Sequence, residues 1–252
     1  MKKLSIYLAI ILPVLITSCS DVSGPGGWYD ENFAGNVYIR RVVTRTPDST
    51  TVQDYLSATF KHPDSSAHIA VGTVVAGNAE GSVSVSLQPN YVDAQRGTTY
   101  SAQVGDLSHS PVRFNGPALR MSIAGNAAFP AFTYDVPVTV DQLAVASPGP
   151  GDIISRSKGF VIDWDRQNPA KQVMISIYKM DDQGSFAGVA FMEVAEDKGS
   201  FTLTPDMLAG TGDGRKVIRM ERVYHNRTEA PGGRRITTNV YSEVWTHVTF
   251  AP

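Results

Sequence analysis

Gly81-Ser82-Val83-Ser84-Val85-Ser86-Leu87 alternates apolar and polar residues with a period of two. In an extended chain successive side chains point to opposite faces, so Val83, Val85 and Leu87 share one face and the serines the other. This is the signature of a half-buried β-strand. Outward from it, Val37–Val43, Tyr55–Phe60, His68–Val75, Thr98–Val104, Val112–Phe114, Leu119–Ile123 and Ala131–Val140 also read as strands. Turn chemistry separates them at Thr46-Pro47-Asp48, His62-Pro63-Asp64, Ala76-Gly77-Asn78, Gln88-Pro89-Asn90 and Asn115-Gly116-Pro117. Turn signals every 8–12 residues or so are the rhythm of a β-sandwich.

Ala146-Ser147-Pro148-Gly149-Pro150-Gly151 cannot continue a central strand and reads as a domain boundary. Beyond it, Gly159–Asp165, Val173–Tyr178, Phe201–Pro205, Val217–Tyr224 and Ile236–Phe250 are strand-like, and Pro205–Gly210 suits one helical turn. The Pro-rich entry, Phe160-Val161-Ile162-Asp163-Trp164 and Val240-Tyr241-Ser242-Glu243-Val244 together resemble an immunoglobulin or fibronectin type III-like domain. The lone cysteine excludes the Cys–Trp–Cys framework of antibody domains. Ala128-Phe129-Pro130-Ala131-Phe132 resembles the join in bacterial envelope lipoproteins with paired β domains. The expected fold is all-β, with two consecutive Ig-like β-sandwich domains at 36–144 and 145–252.

Lys2 and Lys3 precede an apolar run, Leu4–Ile16, that is too short to span a bilayer, which takes about 20 residues. Ile16-Thr17-Ser18-Cys19 closes it and resembles the bacterial lipobox. That resemblance implies a signal peptide over residues 1–18, acyl chains on Cys19 and a membrane anchor through them. A single exported cysteine with no disulfide partner fits such a role. Ser20 follows Cys19 where an Asp would hold Gram-negative lipoproteins at the inner membrane, so the reading leans to the outer membrane, on its periplasmic or surface face. Residues 20–35 are rich in Gly, Ser, Asp and Pro and, after the lipidated Cys19, read as a tether. Trp28, Tyr29 and Phe33 within it suit docking onto the first domain.

Loss of residues 1–18 leaves 234 residues and removes two of 22 Lys and Arg but none of 24 Asp and Glu, for a net charge of −4. That balance offers no global attraction to nucleic acid. Locally the balance reverses. Arg215, Lys216, Arg219, Arg222, Arg227, Arg234 and Arg235 oppose only Glu221 and Glu229, a net +5 within 21 residues. This hairpin is a candidate surface for an anionic glycan or an acidic envelope protein; charge that guards a sheet edge explains it too. In the closing strand Tyr241, Glu243, Trp245 and His247 share one face, and Val240, Val244, Val248 and Phe250 the other. A core valine face would turn Tyr241 and Trp245 outward as a binding stripe.

Other constellations have plainer readings. Asp163 and Asp165 flank Trp164 on one strand face as solvent-facing acids. Asp181-Asp182-Gln183-Gly184-Ser185 and Thr211-Gly212-Asp213-Gly214 suit turns and lack the spacing of a calcium loop. His62, His68, His109, His225 and His247 stand apart, without metal-ligand spacing, and Ser108-His109-Ser110 is mere sequence adjacency. No catalytic residue, metal or cofactor is assigned. The sequence supports a non-catalytic binding or structural module of the envelope; the alternative is a hydrolase of envelope glycan or peptide.

Overall fold

The computed structural model describes residues 33–62, 68–78, 84–93, 97–104, 118–136, 143–166, 172–181 and 183–252. The leader, Cys19, Trp28, Val112–Phe114, His109 and Asp182 lie outside the described residues.

The chain is all-β, as its alternation and turns require. Strands β1 (Phe33–Arg45), β2 (Thr50–Phe60), β3 (Val74–Asn78), β4 (Ser84–Asp93), β5 (Gly97–Val104), β6 (Leu119–Ile123) and β7 (Phe132–Val136) come first. Then follow β8 (Val145–Ser147), β9 (Ile153–Ser155), β10 (Phe160–Trp164), β11 (Gln172–Met180), β12 (Phe186–Glu196) and β13 (Ser200–Leu203). One turn of helix, α1 (Pro205–Leu208), leads to the long hairpin β14 (Gly214–Ala230) and β15 (Arg234–Ala251). Thr204 caps α1 by accepting from the Met207 N–H, and Pro205 occupies its first turn, where a missing N–H costs nothing. Among the described residues no helix is long and apolar enough to cross a membrane.

Several expectations shift. Ala76-Gly77-Asn78 and Gln88-Pro89-Asn90, expected as turns, lie inside β3 and β4; Pro89 falls beyond the β3 ladder, which ends at Leu87, so it is paired on its β5 side only. The strand expected over His68–Val75 begins only at Val74, and His68 instead makes an isolated bridge to Lys61. β12 carries no alternation signal. It is an edge strand with most side chains exposed, so neither face selects apolar residues strictly, and two register shifts against β11 break its period.

The strands form a 12-stranded sheet in the order β12-β11-β14-β15-β1-β2-β5-β4-β3-β6-β7, with β9 paired to β15, and a three-stranded sheet β13-β10-β8. The joint at its centre is long-range. β1 runs parallel to β15, with Ile39 opposite Val240 and Val43 opposite Val244. β14 and β15 pair along their whole length, from Gly214 opposite Phe250 to Ala230 opposite Arg234. Pro231-Gly232-Gly233 closes that hairpin with φ of 83° at Gly232 and 71° at Gly233, a left-handed pair that glycine adopts without a Cβ clash.

Among the described residues two hydrophobic clusters fill the fold. One gathers Val37, Ile39, Leu56, Phe60, Tyr100, Met121 and Phe129 with Ala230, Ile236 and Val240 of the hairpin. The sheet curls over this cluster until the Tyr134 hydroxyl on β7 lies 3.3 Å from the Thr238 hydroxyl on β15. The other packs Val145, Ile162, Trp164 and Leu203 of the small sheet on Ile175, Ile177, Ile218, Met220, Val244 and Phe250 of the large one, a two-sheet sandwich. Each cluster buries apolar area at about 25 cal/mol per Å² of gain. The β14–β15 hairpin serves both.

Candidate functional site

Period two divides β15 cleanly. Val240, Val244, Val248 and Phe250 are buried against the cores. Tyr241, Glu243, Trp245 and His247 therefore turn to the opposite, outer face of the sheet. Register brings Arg219 of β14 opposite Trp245 and Glu221 opposite Glu243. On the other side, Arg40 of β1 stands opposite Tyr241, and Tyr38 one step along its face. Ser176 and Tyr178 of β11 continue the face through Arg219 and Val217.

Glu243 is the hub. Its side chain is 1 % exposed, yet it accepts from three different residues. Arg40 donates from Nε at 2.5 Å and from Nη2 at 2.9 Å. Arg219 Nε donates at 2.9 Å, and the Trp245 indole N–H also at 2.9 Å. Arg219 further pairs with Glu221 and reaches the Tyr178 hydroxyl at 3.4 Å. Burial works to raise the Glu243 carboxyl, but the hydrogen bonds from Arg40, Arg219 and Trp245 prevail and hold it well below the usual carboxylate range. Burial, with Glu243 nearby and against the pull of Arg219, pushes Glu221 up to about 7.

Rings extend this hub across the face. Tyr178 stacks on Trp245 at 6.0 Å between centroids and 6° between planes. Phe186 of β12 meets both rings edge-on, at 5.1 Å from Trp245 and 5.5 Å from Tyr178. The Arg219 guanidinium lies 5.7 Å from the Trp245 ring centre, a cation–π contact. Tyr38 and Tyr241 stack at 6.3 Å. Toward β12 the face is apolar and open, with Phe186, Val189, Met192 and Val194 all exposed. Toward β5 it hollows into a groove of about 410 Å³, lined by Tyr38, Arg40, Tyr55, Leu56, Ser57, Ser101 and Tyr241.

The seven cations of the hairpin do not gather into one patch. Arg219 belongs to the outer hub. Arg222, on the inner face, is buried and paired with Asp197 at 3.0 Å, and it also donates to the Asp165 carbonyl at 2.6 Å. Asp197 accepts from the Trp164 indole at 2.6 Å, so this ion pair is stitched into the second core. Lys216 is buried over the Phe250 ring and donates to the Asp213 carbonyl at 2.6 Å; burial lowers its pKa. Arg215 donates to the Asp181 carbonyl at 2.8 Å. Near the hairpin turn Arg234 donates to the Lys61 carbonyl at 2.7 Å and the Phe33 carbonyl at 3.1 Å, while Arg227 and Arg235 are exposed. Counting charge along the sequence merges residues that period two sends to opposite faces.

The acidic turns are turns. Asp181 Oδ1 accepts from the Gln183 and Ser185 amides at the β11–β12 connection, and Asp213 pairs with Arg156. Asp163 is exposed, while Asp165 accepts from the Ala144 amide at 2.6 Å. Among the described residues no group of three His, Cys, Asp or Glu side chains could hold a metal ion. Sequence reasoning did not single out Arg40, Tyr38, Tyr55, Tyr178 or Phe186. Arginines at 40 and 41 inside a valine-rich strand were the available signal, since such a strand buries or pairs them.

No family model matches this chain, and no curated protein matches it. Among solved structures, fibronectin(III)-like modules of CbhA from Clostridium thermocellum align over 85 % of this chain and 93 % of that one, at 11 % identity with a TM-score of 0.22.

Proposed function

We propose that this protein is a non-catalytic binding module of the bacterial envelope, anchored by lipid on Cys19, that engages an envelope protein or glycan through the outer face of its long sheet. The carrying observation is the stripe Phe186–Tyr178–Trp245–Tyr241–Tyr38. These rings are half-buried or exposed. Hydrogen bonds to one buried carboxylate fix their surroundings, so the face is preorganised before any partner arrives. Trp, Tyr and Arg are also the residue types on which binding energy concentrates. Glu221 and Glu243, the nearest carboxylate pair, are buried against arginines and anchor the face.

Two experiments test the reading. In the first, the full lipidated chain is extracted from membranes and crosslinked to its surroundings, beside Trp245→Ala and the milder Phe186→Ala. A partner captured by the wild type and lost by both variants supports the face. Identical capture by all three overturns it. Because the stripe is aromatic and its two arginines are tied to the buried Glu243, capture is expected to change little with salt. In the second, Cys19→Ser should release the chain from membranes; firm retention of that variant removes the anchor from the proposal.

A further inference from the structure

We infer that the groove between Tyr38, Tyr55 and Tyr241 is a subsite for an uncharged pyranose glycan. This inference rests on the binding-module reading above and names its ligand class.

The chemistry of the walls selects the ligand. The volume of about 410 Å³ falls within the range of roughly 300–1,000 Å³ occupied by small-molecule sites. Tyr38 and Tyr241 lie nearly parallel, 20° apart, and Tyr55 stands opposite Arg40 on the neighbouring strand. Their π faces carry partial negative charge, which disfavours an anion laid against them and favours C–H groups. Ser57 and Ser101 sit opposite one another across β2 and β5 and add hydroxyls. A wholly apolar guest would strip water from these hydroxyls and from Arg40 with nothing in return. Arg40 would ordinarily call for an anion. Here its Nε and Nη2 are already committed to Glu243, which it shares with Arg219, so an anion would compete with a buried carboxylate, whereas a hydroxyl can take its remaining N–H groups. A cation finds no carboxylate on these walls, since Glu243 is buried beneath the arginines. The guest that satisfies all four conditions has flat C–H faces, many hydroxyls and no charge. A pyranose unit of a glycan is that molecule, and the open groove admits a chain running through it.

The test uses the full chain in a detergent without a sugar headgroup, titrated by calorimetry with tri- to hexasaccharides of glucose, galactose, mannose and N-acetylglucosamine. Uronic acid oligosaccharides form a parallel arm. At least one neutral series is expected to bind, with little dependence on salt. Tyr38→Ala and Tyr241→Ala should each weaken it about tenfold or more, equivalent to about 1.4 kcal/mol. Tyr38→Phe, which keeps the ring and the fold, should bind within about threefold of the wild type. Asp163→Asn, at an exposed position outside the groove and the stripe, should leave sugar affinity unchanged. Binding only of uronic acids, abolished by salt, overturns the uncharged ligand. Affinity that survives both alanine variants places sugar elsewhere and overturns the subsite. Absence of saccharide binding overturns the inference too. If a crosslinked partner is then still lost with Trp245→Ala and Phe186→Ala, the module stands and its ligand is protein; if that capture also fails to respond, both readings fall.

Discussion

Arg40 and Glu243, 203 residues apart in the sequence, meet side by side on adjoining parallel strands, with two hydrogen bonds of 2.5 and 2.9 Å between them. The pair locks the first described strand to the closing one at the centre of the outer face.

Removing the carboxylate should therefore be costly. Glu243→Ala leaves Arg40 and Arg219 facing each other without their shared acceptor. Breaking a buried ion pair from one side costs about 3–5 kcal/mol, and a loss of that size is expected in chemical denaturation. Trp245 loses its indole partner as well, so its emission should shift in the folded variant. An unchanged midpoint would show that the hub contributes nothing to stability.

Glu221 gives the face a pH dependence. Its carboxyl is raised from 4.5 to about 7, so the folded chain holds this proton more tightly than the unfolded one. The resulting stability is complete below the unfolded value and is lost as pH rises through about 7. Glu243, held low, acts oppositely: its contribution is present above its ordinary value and is lost only in strong acid. Glu221→Gln cannot ionise, and its denaturation free energy should fall less than the wild type's between about pH 5 and about pH 8. Parallel curves for the two proteins would reject this role.

The basic hairpin should separate into two classes of variant. Asp197→Ala strands buried Arg222 and removes the acceptor of Trp164, with an expected loss of about 3–5 kcal/mol. Arg227→Ser and Arg235→Ser, at exposed positions, should stay within about 0.5 kcal/mol of the wild type. Thermal melts of all three decide whether charge in this segment is structural or superficial.

At the hairpin turn, Gly233→Ala introduces a Cβ where φ is 71° but where no neighbouring atom lies within 4 Å. The cost is then backbone strain alone, about 1–2 kcal/mol. A much larger loss in denaturation would point to a contact at the turn that the open space there contradicts.

Strand existence was legible because alternation is local. In β15 alternation separated Val240, Val244 and Val248 from Tyr241 and Trp245, but which face is the core is seen only in the structure, where the valines are buried. Partners were not legible. Nothing near Arg40 names Glu243, and nothing near Arg222 names Asp197, because sheet pairing brings together residues that share no local pattern. β12 escaped for another reason: as an edge strand with Phe186, Val189, Met192 and Val194 exposed, it is not sorted by burial.

The parallel pairing of β1 with β15 also sets the order of events in folding. β1 has its β2 neighbour within a few residues, but its other edge waits for a strand about two hundred residues downstream. The first hydrophobic cluster waits too, since Ala230, Ile236 and Val240 belong to it. The chain therefore cannot finish its N-terminal half as it is synthesised. Contacts so distant in sequence slow folding, because loop closure is paid before they form. Until β15 is made, the free edge of β1 and the open side of the first cluster have no partner, so both halves of the sheet close in one late step.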